Sequence, residues 1–190
     1  MNTRPEKNKI MNGKVRRSVV PHETVRLDIP IPQTYEEFRR RFETAVPLLT
    51  PERVVEWVKR NAPWSEVVAD VKAAAPYEFL LYWKADLEPL MSLAGNKSRA
   101  TEYLMGNHVI AETMYRHDPL VALYVPLRCA IYEGDGITRF TIEQPSTTLS
   151  GLGCEEITQV ALDLDRKLGR LLAALSVEVP EPLAESRAAG

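Results

Sequence analysis

The chain has 190 residues and a mass of 21.5 kDa, which is enough for one domain with a hydrophobic core. Apolar residues make up 45% and charged residues 26%, as in globular domains, so the composition argues against a disordered or fibrous chain. The 24 basic and 26 acidic side chains give a formal net charge of −2, so no overall basic field points to a nucleic-acid partner.

The sequence also argues against three further classes of protein: membrane-spanning proteins, secreted proteins, and those built on disulfides or a four-thiolate metal site. No apolar run reaches the roughly 18 residues of a membrane span. The polar first 13 residues lack the apolar stretch of a secretory signal. The two cysteines are too few for a disulfide scaffold or a four-thiolate metal site, so we expect a reduced, cytoplasmic protein.

The two ends of the chain differ in composition from the part between them. In residues 1–22, basic side chains outnumber acidic ones six to one with almost no apolar periodicity, which predicts a flexible basic arm. Residues 177–190 contain two prolines among small and acidic residues, and we expect a flexible tail there. Residues 23–176 are therefore expected to form a single domain.

The first half of this domain predicts a strand, a helix and a pair of helices. Apolar and polar residues alternate over 25–31, as in a half-buried strand, and its prolines favour a sheet edge. Thr34 and Glu37 have the spacing of a capping box, which predicts the start of a helix. Pro51 at a first helical position, followed by apolar residues at helical spacing, predicts a helical pair over 50–75.

The second half predicts mainly strands and ends in a long amphipathic helix. Strands are expected at residues 77–83, 100–105, 121–133 and 137–143, and a short helical stretch at 87–93. The run Glu-Gly-Asp-Gly at 133–136 predicts a tight hairpin turn. Apolar residues recur at helical spacing from Ile157 to Leu175, and this order of elements predicts an antiparallel α+β domain. The core between the hairpin and the last helix should contain Leu127, Ile131, Leu164 and Leu168.

Three runs in the second half, taken together, resemble a known family. They are Tyr-Leu-Met-Gly-Asn at 103–107, Asp-Pro-Leu at 118–120 and Val-Pro-Leu-Arg-Cys-Ala-Ile-Tyr-Glu at 125–133, and Gly136 and Pro145 fit later positions. The family is the bacterial and archaeal one filed as domain of unknown function 302. Two positions depart from its pattern. His108 stands where the family usually has proline, and Gln144 replaces an aspartate.

The resemblance covers about residues 25–175 and implies a fold. It implies an antiparallel sheet of four to five strands packed by helices, in the order strand, helix, strands, helix, similar to the TATA-binding-protein-like fold and often paired as a homodimer. The helical pair at 50–75 looks like an insertion relative to short members of the family. Likeness of fold carries no inference about DNA, and the family implies no general activity.

The best candidate site is a pair of Met-x-x-His motifs, running from Met105 to His108 and from Met114 to His117. Imidazole binds zinc, copper and haem iron, and thioether sulfur favours copper or a haem axial site. Haem or a transition metal is therefore a candidate cofactor, although no particular metal is indicated. The alternative is that the methionines pack in the core, the histidines cap turns, and Asn107 serves a sharp turn rather than a ligand.

The cysteines and tryptophans have simpler explanations. Cys129 alternates with apolar residues and is expected to be a small buried hydrophobe. Cys154 precedes the last helix, whose dipole lowers a thiol pKa, but Glu155 and Glu156 oppose that effect, so a nucleophile is not favoured. The tryptophans are expected to build core between the helical pair and the sheet, with a pocket wall as the alternative. They are Trp57, Trp64 and Trp83.

We therefore expect a homodimer that binds a small apolar or cofactor-like ligand between its sheet and its helices. Trp83 and Tyr124 would complete the pocket around the two motifs. If the protein is an enzyme, His108 or His117 is the candidate acid/base or axial ligand. A hypothesis of a different class is a non-catalytic accessory or assembly module that uses the helical pair as a partner surface, and a third is a haem protein.

Overall fold

A five-stranded antiparallel sheet organises the part of the chain that the computed structural model describes, residues 19–184. The strands are β1 (Arg26–Ile31), β2 (Leu80–Asp86), β3 (Ala100–Gly106), β4 (Leu127–Gly134) and β5 (Ile137–Glu143), in the spatial order β1-β5-β4-β3-β2. The predicted basic arm up to residue 18 and the predicted tail from residue 185 lie outside the described residues.

Seven α-helices accompany the sheet in this part of the chain. They are α1 (Tyr35–Ala45), α2 (Pro51–Lys59), α3 (Trp64–Ala74), α4 (Glu88–Ser92), α5 (His108–Tyr115), α6 (Pro145–Ser150) and α7 (Glu155–Ala174). The α+β class with an antiparallel sheet is confirmed. No helix within residues 19–184 is both long enough and apolar enough to cross a membrane.

One face of the sheet forms the main core with α1 and α7. Alternate residues of four strands are buried there, namely Leu27, Ile29, Ile31, Tyr103, Met105, Leu127, Cys129, Ile131, Phe140 and Ile142. The ring centroids of Phe38 and Phe42 in α1 lie 6.3 and 5.6 Å from that of Phe140. Leu164 and Leu168 of α7 are buried in the same cluster, so the predicted core is confirmed.

The start of α1 is also as predicted, since the Thr34 hydroxyl accepts a hydrogen bond from the Glu37 backbone N–H at 3.3 Å. The residues between α1 and α2 then cover the outer edge of β2. The Leu49 N–H donates to the Leu81 carbonyl at 2.8 Å, and the Leu81 N–H donates to the Pro47 carbonyl at 2.9 Å. This pairing satisfies backbone groups that an edge strand otherwise presents to solvent.

The predicted helical pair is α2 and α3, which have a small core of their own against β2. Its buried members are Leu49, Trp57, Val67, Val71, Ala75 and Leu80. Trp57 is buried as expected, and its indole N–H donates to Asp70 at 2.9 Å. The expectation is wrong for the other two tryptophans, because Trp64 is 47% and Trp83 44% exposed.

Two segments differ from their predicted secondary structure. The strand expected from residue 121 begins only at Leu127, because Asp118 caps a 3-10 helix over Pro119–Leu123 by accepting from the Leu120 N–H at 2.9 Å. Asn107 does not form a positive-φ turn. It has φ −150° and is the N-cap of α5, a helix that the sequence analysis does not predict.

The start of the predicted tail is packed rather than loose. Val177 and Leu183 are buried in the main core. The backbone reaches α7 at Gly169, where a Cβ atom would lie 2.5 Å from the Leu183 carbonyl oxygen. Two apolar anchors and one close approach therefore hold residues 177–184 on α7.

Candidate functional site

A cavity of about 180 Å³ lies where β2, α5 and the start of β4 meet. Apolar side chains form most of its wall, among them Phe79, Ile110, Ala111, Met114, Pro126 and Leu164. Of the residues that line it in the described chain, none is acidic and none is a lysine or arginine. The polar side chains of the wall are Tyr82, Asn107 and His108.

Tyr82 reaches this cavity because the pairing of β2 with β3 is irregular. Leu81 pairs with Met105 and Trp83 with Leu104, so Tyr82 is the extra residue of a β-bulge. A bulge re-aims a side chain relative to the regular alternation of a strand. Gly106 makes room for the ring, since a Cβ at that position would lie 3.1 Å from Tyr82 Cε2.

Asn107 fixes the start of α5 and thereby the place of His108. Its side-chain oxygen accepts from the Val109 N–H at 2.9 Å and the Ile110 N–H at 3.3 Å. Its amide nitrogen donates to the Glu78 carbonyl at 2.8 Å, which ties α5 to the loop before β2. Asn107 lines the cavity, and its hydrogen bonds give it a structural role there.

The imidazole of His108 stacks on the phenol ring of Tyr82. Their centroids are 4.6 Å apart and their planes differ by 22°. His108 Nε2 and the Tyr82 hydroxyl oxygen are both shielded from solvent, and neither has a hydrogen bond of good geometry within residues 19–184. A buried polar atom without a partner costs about 1–3 kcal/mol, so two neighbouring ones call for an explanation.

Burial sets the charge of both groups. Loss of solvation lowers the pKa of His108 below its ordinary value, so its imidazole is neutral at pH 7. Burial raises the pKa of Tyr82 far above its ordinary value, and the nearby His108 main chain opposes this shift only in part. The polar corner of the cavity is therefore uncharged at neutral pH.

The predicted site residues are divided among three places. Both methionines are buried in the main core, as the alternative expected, and Met114 also lines the cavity with Asn107 and His108. His117 follows the C-terminal end of α5 and is exposed. His117 comes nine residues after His108, which corresponds to about 13 Å along the axis of α5 and its last turn. The two histidines therefore do not share one pocket.

Trp83 and Tyr124 lie on the opposite, open face of the sheet. They line a broad concavity of about 960 Å³ beside Leu104 and Leu123. The Tyr124 ring meets the imidazole of His22 edge-on, with centroids 5.8 Å apart. This concavity shares Val125, Pro126 and Leu127 with the cavity beside His108, but none of the predicted pocket side chains lines both, so the six do not form a single site.

Tyr82 is the site residue that the sequence pattern does not reveal. It lies in a run of apolar and aromatic residues, where it looks like one more position of a strand. Its role depends on the bulge opposite β3, and a bulge is set by the partner strand. A glycine at position 106 was the available signal, since glycine in a strand often marks a close approach.

Comparison with known proteins identifies the family. Residues 57–175 match the family model described as "Domain of unknown function DUF302", a span that begins inside α2 and includes every residue lining the His108 cavity. The fold is similar to that in the crystal structure of an uncharacterized conserved protein DUF302 from Bacillus stearothermophilus. That comparison gives a TM-score of 0.54 and 14% identity and covers 79% of this chain and 95% of the other. No curated protein matches the chain significantly. The match over more than half of its length shows that the chain belongs to the DUF302 family.

Proposed function

We propose that the protein binds a small, uncharged and mostly apolar molecule in the cavity between β2, α5 and β4, and that this molecule carries one hydroxyl or carbonyl group. The observation that carries the proposal is a mostly apolar cavity whose lining includes His108 and Tyr82, each with a buried polar atom, Nε2 and the hydroxyl, that has no hydrogen bond within the described residues. A ligand that fills the apolar space and carries one polar group would give both atoms a partner once the two side chains turn toward the cavity.

The size of the cavity limits the size of the ligand. An apolar protein cavity of about 150 Å³ holds benzene, whereas pockets for drug-sized molecules are roughly 300–1,000 Å³. At about 180 Å³, the cavity suits a molecule of the size of phenol. This volume favours a single-ring ligand over haem, the larger cofactor that the Met-x-x-His motifs allow.

The chemistry of the wall favours a neutral ligand with a hydroxyl group. An ion would lose its hydration without meeting an opposite charge, because no charged side chain among residues 19–184 lines the cavity. Neutral imidazole donates from one nitrogen and accepts at the other, and a phenol hydroxyl does both. A ligand hydroxyl can therefore donate to one of the two orphaned atoms and accept from the other.

A catalytic use of this site would depend on His108. It lines the cavity and its pKa is lowered by burial, so the neutral ring can accept a proton near neutral pH. His117 lies beyond the other end of α5, and the raised pKa of Tyr82 keeps that hydroxyl protonated. We therefore assign any acid/base role in the cavity to His108 alone.

Isothermal titration with phenol and benzene as probes tests the proposal. We expect phenol to bind the wild-type chain with 1:1 stoichiometry and about tenfold more tightly than benzene, the value of one net hydrogen bond. His108→Phe keeps the ring stack but removes one of the two polar atoms, so it should reduce the preference for phenol over benzene. Ala111→Leu fills the cavity and should abolish binding of both probes.

Ala69→Leu is the matched control, because Ala69 is exposed on α3 and lines none of the cavity. It should bind phenol like the wild type. Absence of phenol binding to the wild-type chain at millimolar concentration, or full binding to Ala111→Leu, contradicts the proposal.

We further propose that two copies of the chain pair through the open face of the sheet. Large apolar side chains are exposed at one end of that face, with Trp83 at 44% and Leu123 at 70% exposure. Burying such side chains against a second copy removes apolar surface from water.

We also propose a reducing, cytoplasmic setting, because Cys129 and Cys154 are both free thiols.

The helical pair supports a second candidate function, that of an accessory module. On its outer surface, Val58 is 75% exposed and Trp64 47% exposed, beside the half-exposed Val55. A surface of this kind fits a partner helix or a shallow apolar groove. The first function places a small molecule in the cavity beside His108, whereas the second places a partner protein on the outer surface of α2 and α3.

A further inference from the structure

Three metal-binding side chains come together at the end of the molecule where α5 stops and α7 begins. They are His117, Cys154 and Glu156, and their ligand atoms all lie within 4.8 Å of one another. This cluster lies away from the cavity at His108, at the opposite end of α5. It combines an imidazole, a thiol and a carboxylate from two separate segments of the chain.

The backbone holds both segments in place. The His117 N–H donates to the Met114 carbonyl at 3.0 Å, which continues the last turn of α5, and α5 packs against α7. Gly153 has φ +66°, in the left-handed region that favours glycine, and it turns the chain into Cys154 at the N-cap of α7. Glu156 follows in the first turn of α7.

Cys154 does not act as an ordinary helix cap. Its side chain makes no hydrogen bond to the backbone of α7, and its Sγ donates to the Glu156 carboxylate at 3.1 Å. The Cys154 side chain is buried, whereas His117 and Glu156 are exposed. The sulfur therefore lies at the base of the cluster, with the two other ligand atoms on its solvent side.

We propose that His117, Cys154 and Glu156 form a site for a divalent transition-metal ion, with Zn²⁺ as the ion that fits best. Zinc takes thiolate, imidazole and carboxylate ligands at about 2.0–2.3 Å, which places neighbouring ligand atoms about 3.5 Å apart in a tetrahedron. Cys154 Sγ and the Glu156 carboxylate already lie within that spacing at 3.1 Å, and no separation in the cluster exceeds 4.8 Å, so a small side-chain movement closes the site. The fourth position faces solvent and is taken by water.

The ligand set selects among metals. A thiolate with an imidazole favours zinc and similar ions over Mg²⁺ and Ca²⁺, which prefer oxygen ligands alone. On binding, the Cys154 S–H bond breaks, a metal–sulfur bond forms and the proton passes to solvent. The thiolate and the Glu156 carboxylate together balance the two positive charges of the ion.

Anaerobic titration with Co²⁺ tests the site, because cobalt bound to a thiolate has a near-ultraviolet charge-transfer band and d–d bands in the visible. We expect one equivalent of Co²⁺ to develop these bands, and Zn²⁺ to remove them by displacement. Cys154→Ser should lose the charge-transfer band. His117→Gln and Glu156→Gln should each weaken Zn²⁺ binding at least tenfold in competition with a chromophoric chelator.

Two control variants remove the same residue types elsewhere. Cys129→Ala deletes the other thiol, whose burial raises its pKa, and His22→Gln deletes an exposed histidine. Both should keep the cobalt spectrum of the wild type. The site is refuted if the wild-type chain shows no thiolate band with Co²⁺, or if the band persists in Cys154→Ser with an unchanged circular dichroism spectrum.

Discussion

At the scale of single residues, the stacked pair of Tyr82 and His108 decides what the cavity can bind. The family resemblance leads us to expect proline at position 108, and proline has no side-chain polar atom. The imidazole therefore adds a hydrogen-bonding group to a wall that is mostly apolar. Asn107 holds that group in place by capping α5. Asn107 therefore has a structural role, and His108 supplies the hydrogen-bonding group.

The lowered pKa of His108 makes a prediction about stability. Below about pH 6.5 the unfolded chain protonates this histidine while the folded chain resists, so the unfolded state binds more protons. The free energy of unfolding should therefore fall as pH drops below 6.5, until the folded-state pKa is reached. The loss from this one group is at most about 1.4 kcal/mol per pH unit.

Urea denaturation at pH 7.5 and pH 5.5 measures this effect. His108→Phe should lose less unfolding free energy than the wild type between the two values, while His22→Gln should behave like the wild type. Equal losses in the wild type and His108→Phe would show that His108 is not buried in its neutral form.

At the scale of elements, α7 organises both ends of the fold. Asp165 is buried and accepts hydrogen bonds from the Gln144 side chain at 2.7 Å and the Ser146 N–H at 3.0 Å, which anchors the start of α6. One turn further on, Gly169 lets the backbone near Leu183 lie directly on the helix. Strand β5, α6 and the segment 177–184 are thus all positioned by one helix.

Gly169→Ala should detach the segment 177–184 from α7. The new Cβ would lie 2.5 Å from the Leu183 carbonyl oxygen. The backbone would have to shift to relieve this contact. We expect a loss of about 1–3 kcal/mol in unfolding free energy, despite the better helix propensity of alanine. Cleavage by a glutamate-specific protease after Glu178 should become faster.

Leu162→Ala provides the comparison, since Leu162 lies on the exposed side of the same helix. It should leave both the stability and the rate of cleavage nearly unchanged. If Gly169→Ala is as stable and as resistant as the wild type, the segment does not pack on α7 as described.

Elements with a long periodic pattern are predictable from the sequence, and short ones are not. The hairpin of β4 and β5 and the 20-residue α7 follow from alternation, turn residues and an apolar stripe. The eight residues of α5 and six of α6 contain too few turns to show a helical period. Residues 121–125 have the pattern of a strand. Asp118 and Pro119 nevertheless start a 3-10 helix, which includes residues 121–123.

The candidate site was only partly predictable for the same reason. His108, Asn107 and Met114 stand out in the sequence because of their residue types, and all three line the cavity. The separation of His108 from His117 follows from α5, and the position of Tyr82 follows from a bulge with β3. The spacing of residues along the chain shows neither the short helix α5 nor the bulge between β2 and β3.

At the scale of the whole molecule, the sheet has one face in the core and one face open. The open face carries the concavity with Trp83 and Tyr124, and the helical pair presents a second apolar surface at Val58. If copies of the chain pair through the sheet, light scattering should give about 43 kDa, twice the 21.5 kDa of one chain.

Two charge substitutions identify the surface that is used. Trp83→Lys should return the mass to that of a monomer, whereas Val58→Lys should leave the dimer intact. A monomer at micromolar concentration in the wild type ends the homodimer hypothesis, and a dimer lost only in Val58→Lys assigns the interface to the helical pair.

The most direct test of the account is nuclear magnetic resonance of the imidazole nitrogens in chain labelled with ¹⁵N-histidine, recorded while phenol is added. The chain has three histidines, His22, His108 and His117, so each ring can be followed separately. We predict that phenol shifts the Nε2 resonance of His108 in a saturable way and leaves the other two unchanged, and that benzene shifts it less. No shift at His108 at saturating phenol, or a shift confined to His22 or His117, would contradict a ligand site built on the Tyr82–His108 pair.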